Sequence, residues 1–249
     1  MSVFRPLTDE FDRWADQGLT ATLWWRDDDA IAPTPALDRL LDAAGPVPLT
    51  LAVIPALAEP ELAARLAGRP QVAAVQHGYA HRNHETVGKK AELGAARPVA
   101  EVAADLAVGF ARLTTLFGGQ FRPMLVPPWN RIAAAVVPAL PRLGLTALST
   151  AKARDARLAA PGLVQVNTHV DPIDWRGTRG FMGEIATVEM FCRHLADRRA
   201  GRVDRHEPTG LLTHHLVHDA GLWQFLPRLI EVAAAHRAVR FLGAAEACA

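Results

Sequence analysis

The sequence contains little cysteine, with only two such residues among 249. Cys192 lies within a predicted helix and Cys248 is one residue from the end of the chain, so they form no metal-binding or redox spacing. We expect no disulfide between them, and their use fits a protein of a reducing compartment.

The sequence also lacks an excess of charge of either sign and any long apolar run. Lysine and arginine number 27 against 26 acidic residues, a net charge of +1, which gives no electrostatic footprint for nucleic acid or an anionic membrane. The longest uncharged stretch, 43–58, contains three prolines and is too short to span a bilayer. The N-terminus is charged and shows no apolar signal-peptide core, so we expect a cytoplasmic protein.

Short apolar runs alternate with longer amphipathic segments along the whole chain. The candidate strands are 21–25, 48–54, 72–75, 123–126, 145–149, 163–167, 210–214 and 239–242. Strands that alternate with helices predict parallel pairing, and this length is common for a single α/β barrel. We therefore expect one α/β domain over 1–249, a closed or nearly closed barrel of seven or eight strands, with an open doubly wound sheet as the alternative.

Polar clusters follow five of the predicted strands. They are RDDD at 26–29, QHGYAH at 76–81, PPWNR at 127–131, HVDPIDW at 169–175 and HH at 214–215. In parallel α/β barrels the loops that follow the strands converge at one end, where active sites form. The clusters therefore predict a single site at one mouth of the barrel.

The aspartate run and the histidine pair together indicate a metal ion. Adjacent buried aspartates repel one another unless a cation compensates them. His77 and His81 share a face if the segment after Gly78 is helical, whereas alone they fit a solvated polar loop equally well. Together with Asp29 they give three ligands and leave coordination positions open, as in a catalytic site. Zinc suits this set, and iron, cobalt, nickel and manganese are also compatible.

In this order the motifs resemble those of the polysaccharide deacetylases, carbohydrate esterase family 4, within a superfamily that also includes cyclic amide and imide hydrolases. RDDDA, HGYAH, PPWNR, DPIDW and LLTHH follow the family order over residues 26–215, and DPIDW matches the fourth motif at every fixed position. The resemblance implies a distorted (β/α) barrel of about seven parallel strands. It also implies metal-dependent N-deacylation of an N-acylated amino sugar or a related small amide. The alternatives are a cyclic amide or imide hydrolase and a catalytically silent barrel that binds carbohydrate.

The resemblance also implies roles for individual residues. The metal ligands would be Asp29, His77 and His81. Asp28 would be the general base and His214 the general acid, with Asp174 orienting the acid; a shift of one residue would make Asp27 the base, and His215 is the alternative acid. The residues expected to contact substrate are Pro128, Trp129, Asn130, Trp175 and His215.

The third motif departs from the family pattern. The arginine that pairs with the base in the family falls at Val126, and either Arg26 or Arg131 could replace it. Trp129 stands where the family has a tyrosine whose backbone N–H stabilises the oxyanion. These differences concern the base and the substrate more than the metal.

Overall fold

The structure is a computed structural model that describes residues 2–249. Its helices are α1 (Arg5–Asp16), α2 (Pro35–Ala44), α3 (Pro60–Leu66), α4 (Val99–Phe117), α5 (Glu184–Arg199), α6 (Ala220–Ala234) and α7 (Ala244–Ala247). Its strands are β1 (Ala21–Ala30), β2 (Leu49–Val53), β3 (Val72–His77), β4 (Phe121–Val126), β5 (Ala147–Leu148), β6 (Leu158–Ala160), β7 (Leu163–Gln165), β8 (Thr209–Thr213) and β9 (Val239–Leu242). Within the described residues, no helix combines the length and the apolar character needed to cross a membrane.

The nine strands form one sheet that is parallel except for the β6–β7 pair. Its order is β6-β7-β5-β4-β3-β2-β1-β8, and β9 also pairs with β1. Over residues 2–249 the ladder does not close, because β7 and β8 are not paired as strands. The chain just after β7 crosses this gap: the N–H groups of His169 and Val170 donate to the carbonyl of Gly210, at 2.8 and 3.0 Å, and Leu212 N–H donates to Val170 at 2.8 Å. The predicted single-domain α/β barrel is therefore confirmed, in the distorted form with an unclosed sheet.

Each of the eight predicted strands is present; β9 has the predicted bounds, and the other seven differ at one or both ends. β1 continues to Ala30, so the aspartate run belongs to the strand itself. The pattern missed α1, although its buried Leu7, Phe11 and Trp14 recur at helical spacing. α1 packs against α5, on the outside of the sheet.

Side chains of β1 alternate between the barrel interior and the surrounding helices. Trp24 packs with interior residues of β2, β3 and β4, whereas Trp25 belongs to the larger cluster formed with the helices. Because successive strand residues face opposite sides, Arg26 and Asp28 point into the barrel with Trp24. Asp27 points outward with Trp25.

A second group of potential ligand atoms lies apart from the predicted site, in His169, His194 and Glu207. The N–H of Gly210 donates to His169 Nδ1 at 2.9 Å, so the proton of a neutral His169 ring is on Nε2, which faces Glu207 Oε2 at 3.3 Å. The two imidazole rings stack with centroids 3.6 Å apart and planes 18° from parallel. The lone pairs of stacked rings lie in nearly parallel planes, and His169 Nδ1 already accepts from Gly210, so this geometry disfavours a shared ion.

Titration of His194 should make the stability of the protein depend on pH. Burial, with His169 and Arg198 nearby, lowers the pKa of His194 from 6.5 to about 2. Below pH 6.5 the unfolded chain binds a proton that the native state does not, so the free energy of unfolding should fall by about 1.4 kcal/mol per pH unit for this group. Urea unfolding between about pH 5 and pH 7 should show a shallower decline for His194→Gln than for the wild type.

The matched control is His206→Gln, because His206 is exposed. This variant should keep the wild-type dependence of unfolding free energy on pH. An unchanged slope in His194→Gln as well would contradict the assignment of the titration to His194.

Candidate active site

The three predicted metal ligands converge at the mouth of the barrel. Asp29 Oδ1 lies 3.1 Å from His77 Nε2 and 3.3 Å from His81 Nε2. The side chain of His77 is 2% exposed, while those of Asp29 and His81 are 31% and 25% exposed. The cluster is therefore buried at His77 and open to solvent at Asp29 and His81.

The end of β1 turns Asp29 toward the histidines. The register between β1 and β2 shifts between Asp27 and Ala30, which is a bulge, and Asp29 has φ of 74°. Bulges re-aim side chains, and aspartate is among the few residues other than glycine that enter the left-handed region readily. Asp29 thereby leaves the strict alternation of the strand and reaches the end of β3.

His81 reaches the site through a loop and not through a helix, so the condition under which the pair would share a helical face is not met. His77 is the last residue of β3, and the following residues are irregular, with φ of 54° at both Gly78 and His81. A Cβ at position 78 would lie 2.6 Å from the Pro128 ring and 2.0 Å from Glu92 Oε2, so only glycine fits there. This turn of the loop places the centroids of the His77 and His81 rings 5.2 Å apart.

The hydrogen bonding of His77 favours a cation in the cluster. Its Nδ1 lies 2.9 Å from the carbonyl of Val126, which can only accept, so Nδ1 carries a hydrogen. A neutral His77 then directs the lone pair of Nε2 at the Asp29 carboxylate, and two acceptors at this distance repel one another. Burial opposes a charge on His77, yet the hydrogen bond that protonated His77 donates to Asp29 and the charges of Asp28 and Asp29 raise its pKa. A divalent ion satisfies the same donor set, and a backbone partner on the other ring nitrogen is typical of ligating histidines.

Asp28 is held inside the barrel by Arg26. Arg26 Nε lies 2.8 Å from Asp28 Oδ1 and its Nη2 lies 3.0 Å from Oδ2, with side-chain exposures of 0% and 3%. Nη2 also donates to Asn130 Oδ1 at 2.7 Å, so Asn130 orients the arginine. Of the two candidate replacements for the family arginine, Arg26 is the one that pairs with Asp28, whereas Arg131 donates to a backbone carbonyl of a surface loop.

Asp27 and His215 form a buried pair on the helix side of the sheet. Asp27 Oδ1 lies 2.5 Å from His215 Nδ1, and Oδ2 accepts from the Thr213 hydroxyl at 2.6 Å and from the backbone N–H of His215 at 3.0 Å. Burial raises the pKa of Asp27, but the charge of His215 and its hydrogen bond outweigh it and leave the pKa lowered. The His215 side chain is 1% exposed, so the expectation that His215 contacts substrate is wrong.

His214 lies beside the cluster of Asp29, His77 and His81 and under Trp175. The two rings meet edge to face with centroids 4.9 Å apart. Burial raises the pKa of Asp29, but the hydrogen bond and charge of His77, together with the charge of His214, hold it below its ordinary value. Trp175 is 39% exposed and covers His214 from the solvent side.

The carboxylate beside His214 is Asp171, not Asp174 as expected. Asp174 accepts the N–H groups of Gly177 and Thr178, at 2.9 and 3.2 Å, and so closes a turn of its own loop. Among the described residues, His214 Nδ1 has no hydrogen-bond partner, so the expected bond from Asp174 is not made.

Asp171 is a half-buried acid that the sequence pattern did not separate from an ordinary turn residue. It accepts the N–H of Ile173 at 3.0 Å and the indole N–H of Trp175 at 2.7 Å. Burial raises its pKa, and the nearby charge of His214 opposes that rise. Asp171 thus fixes Trp175 over His214 by accepting its indole N–H, a contact that the motif's letters do not reveal.

The third motif forms the wall opposite Trp175. Trp129 has φ of 56°, and its ring centroid lies 4.4 Å from that of His81. Pro128 is buried against Gly78, so it supports the histidine loop. Trp129 and Trp175 therefore lie against His81 and His214, respectively, at the open side of the cluster.

Comparison with known proteins finds likeness in structure only. No family model matches the sequence, and no curated protein matches it. A protein of Mycobacterium smegmatis assigned as a polysaccharide deacetylase superposes with a TM-score of 0.69 at 18% identity, covering 92% of this chain and 89% of that chain. A carbohydrate esterase family 4 esterase of Streptococcus mutans gives 0.58 at 12% identity, covering 95% and 90%. A family 4 acetyl xylan esterase of Clostridium thermocellum, in complex with a cobalt ion, gives 0.54 at 13% identity, covering 91% and 89%.

At these identities the likeness establishes a shared fold. The chain has the α/β fold of the family 4 polysaccharide deacetylases and esterases along nearly its whole length. The resemblance drawn from the five motifs is thereby confirmed at the level of the fold.

Replacement of Arg26 should lower the free energy of unfolding, because it removes the partner of the buried Asp28. Arg26→Met leaves the buried Asp28 side chain without its partner, so the free energy of unfolding should fall by about 3–5 kcal/mol, as measured by urea denaturation. The double variant Arg26→Met, Asp28→Asn removes the unpaired charge and should lose less than the sum of the two single losses. Additive losses would contradict the ion pair.

Proposed function

We propose that the protein is a metal-dependent hydrolase that removes an acyl group from an N-acylated amino sugar or a related small amide. The observation that carries this proposal is the convergence of one carboxylate and two imidazoles, in Asp29, His77 and His81, at the open end of the barrel. The fold it shares with deacetylases and esterases supports the same conclusion.

We infer that a single divalent ion is held by these three side chains. Zinc suits one carboxylate and two imidazoles with open positions, and cobalt is compatible, as in the cobalt complex of the Clostridium thermocellum esterase. When bound, such an ion acts as a Lewis acid that lowers the pKa of water and polarises a carbonyl group.

Asp28 is the candidate general base. It is the aspartate of the run that points into the barrel next to Asp29, and the guanidinium of Arg26 compensates its buried charge. In this proposal Asp28 accepts the proton of the attacking water as the new carbon–oxygen bond forms. Asp27 is committed to His215 on the other side of the sheet, which favours Asp28 in the choice between the two.

His214 is the candidate general acid, and the tryptophans shape the space for substrate. An amine is a poor leaving group unless it is protonated, so His214 would donate a proton to the departing nitrogen. The backbone N–H of Trp129 would donate to the oxyanion that develops at the carbonyl oxygen. Trp175, fixed by Asp171, would keep His214 turned toward that nitrogen.

A cytoplasmic location belongs to the same proposal. Cys192 and Cys248 are both free, which fits a reducing compartment. The substrate would then be a carbohydrate or another small molecule present inside the cell.

Removal of one ligand should weaken metal binding so far that the purified protein no longer retains the ion, although the two remaining ligands can still bind it weakly. His77→Ala deletes a buried nitrogen ligand, so the purified variant should contain no stoichiometric divalent metal and should be inactive. His84→Ala is the matched control, because His84 lies on the same loop but outside the ligand cluster; it should keep wild-type metal content. Normal metal content in His77→Ala, measured by elemental analysis, would refute the ligand assignment.

Loss of the base should separate catalysis from metal binding. Asp28→Asn keeps the three ligands, so it should bind metal normally while kcat falls about 10²–10⁴-fold. Metal content and turnover are measured on the same preparation. A fully active variant would contradict the assignment of Asp28 as the base.

The substrate class is tested with a panel of amides in the presence and absence of a chelator. We expect chelator-sensitive release of acetate from N-acetylglucosamine oligomers. Hydrolysis of cyclic imides alone would identify the alternative activity of the superfamily, and inactivity on every amide, ester and imide would favour a silent carbohydrate-binding barrel.

A further inference from the structure

A buried carboxylate supports the loop that carries His81. Glu92 lies in the long connection between β3 and α4 and is 2% exposed. Its oxygens accept the backbone N–H groups of Tyr79 at 3.1 Å and of Ala80 at 2.7 Å, and the N–H of Arg82 lies at 3.5 Å. An ionised carboxylate tolerates burial only when such donors surround it.

All three donors belong to the few residues that surround His81. Gly78, at the start of this loop, has its carbonyl held from the other side by the Gln76 side-chain amide at 3.0 Å. His81 itself has φ of 54°, a conformation that non-glycine residues adopt only when their surroundings impose it. The contacts of Glu92 therefore act on the segment whose conformation places the His81 ring.

The close fit of Glu92 against Gly78 makes this support specific. A Cβ at position 78 would lie 2.0 Å from Glu92 Oε2, so the carboxylate occupies the space that a side chain would fill. The loop after Arg82 returns to this point, with His84 N–H donating to the carbonyl of Ala91 at 3.0 Å. This return of the chain places Glu92 against the loop that carries His81.

We propose that Glu92 is a positioning residue that fixes residues 78–82 and thereby holds His81 Nε2 opposite Asp29. This inference rests on the metal site of the proposed function. Glu92 itself contacts neither substrate nor metal, because it is buried beneath the loop. Supporting groups of this kind commonly change metal affinity by about 10–100-fold when they are removed.

The test measures Co²⁺ binding to the metal-free protein by competition and by visible absorption. Glu92→Gln keeps the size of the side chain but replaces one acceptor oxygen with an N–H₂ group that faces donors. Its Co²⁺ affinity should fall about 10–100-fold, with an altered absorption spectrum as His81 is displaced. Glu85→Gln is the control, because Glu85 lies on the same connection and its side chain accepts the N–H of Ala96 at 3.1 Å, away from residues 78–82; this variant should bind Co²⁺ as the wild type does.

A double-mutant cycle distinguishes positioning of His81 from a general loss of structure. If Glu92 acts through His81, Glu92→Gln should cause little further loss of affinity in a His81→Ala background. An equal loss in both backgrounds, or wild-type affinity and spectrum in Glu92→Gln, would overturn the proposal. If Glu92→Gln does not fold, Glu92→Asp, which keeps the charge but withdraws the oxygens, provides the same comparison.

Failure of the two inferences is distinguishable. If the wild-type protein binds no Co²⁺, the metal site is wrong and this proposal falls with it. If the wild type binds Co²⁺ and Glu92→Gln binds it equally well, only the role of Glu92 is overturned.

Discussion

The structure depends on compensation of three consecutive negative charges in one strand. Asp27, Asp28 and Asp29 stand side by side near the end of β1, where burial penalises every ionised carboxylate. Each is given a different positive or hydrogen-bonding partner. Asp27 pairs with His215, Asp28 with Arg26, and Asp29 faces the two histidines.

This separation follows from the geometry of a strand. Alternation sends Asp27 to the helix side and Asp28 to the interior, so their partners come from different parts of the chain. The bulge then frees Asp29 from alternation and lets it point toward the end of β3. The three adjacent aspartates look equivalent in the sequence, but each has a different partner in the structure.

The sequence predicted the fold and the convergence of Asp29, His77 and His81 because both rest on strong, repeated signals. Strand periodicity gave the parallel barrel, and the position of polar clusters after strands gave Asp29, His77 and His81. What it did not predict depends on backbone conformation and on packing between distant loops. The left-handed turn at His81 and the burial of Glu92 leave no mark in hydrophobic periodicity.

The fourth motif illustrates the same limit. DPIDW contains two acids, and nothing in the letters says which of Asp171 and Asp174 turns inward. The structure decides it through a turn that uses the N–H groups of Gly177 and Thr178, and through the indole of Trp175. The assignment of Arg26 to Asp28 was likewise open until the barrel interior was defined.

The unclosed seam of the sheet has a mechanical consequence. Val170 forms hydrogen bonds with both Gly210 and Leu212 of β8, so the segment leading to Asp171 and Trp175 is joined to the strand that directly precedes His214. Because the same hydrogen bonds connect both parts of the mouth, we expect any displacement of β8 to carry the indole of Trp175 along with the imidazole of His214.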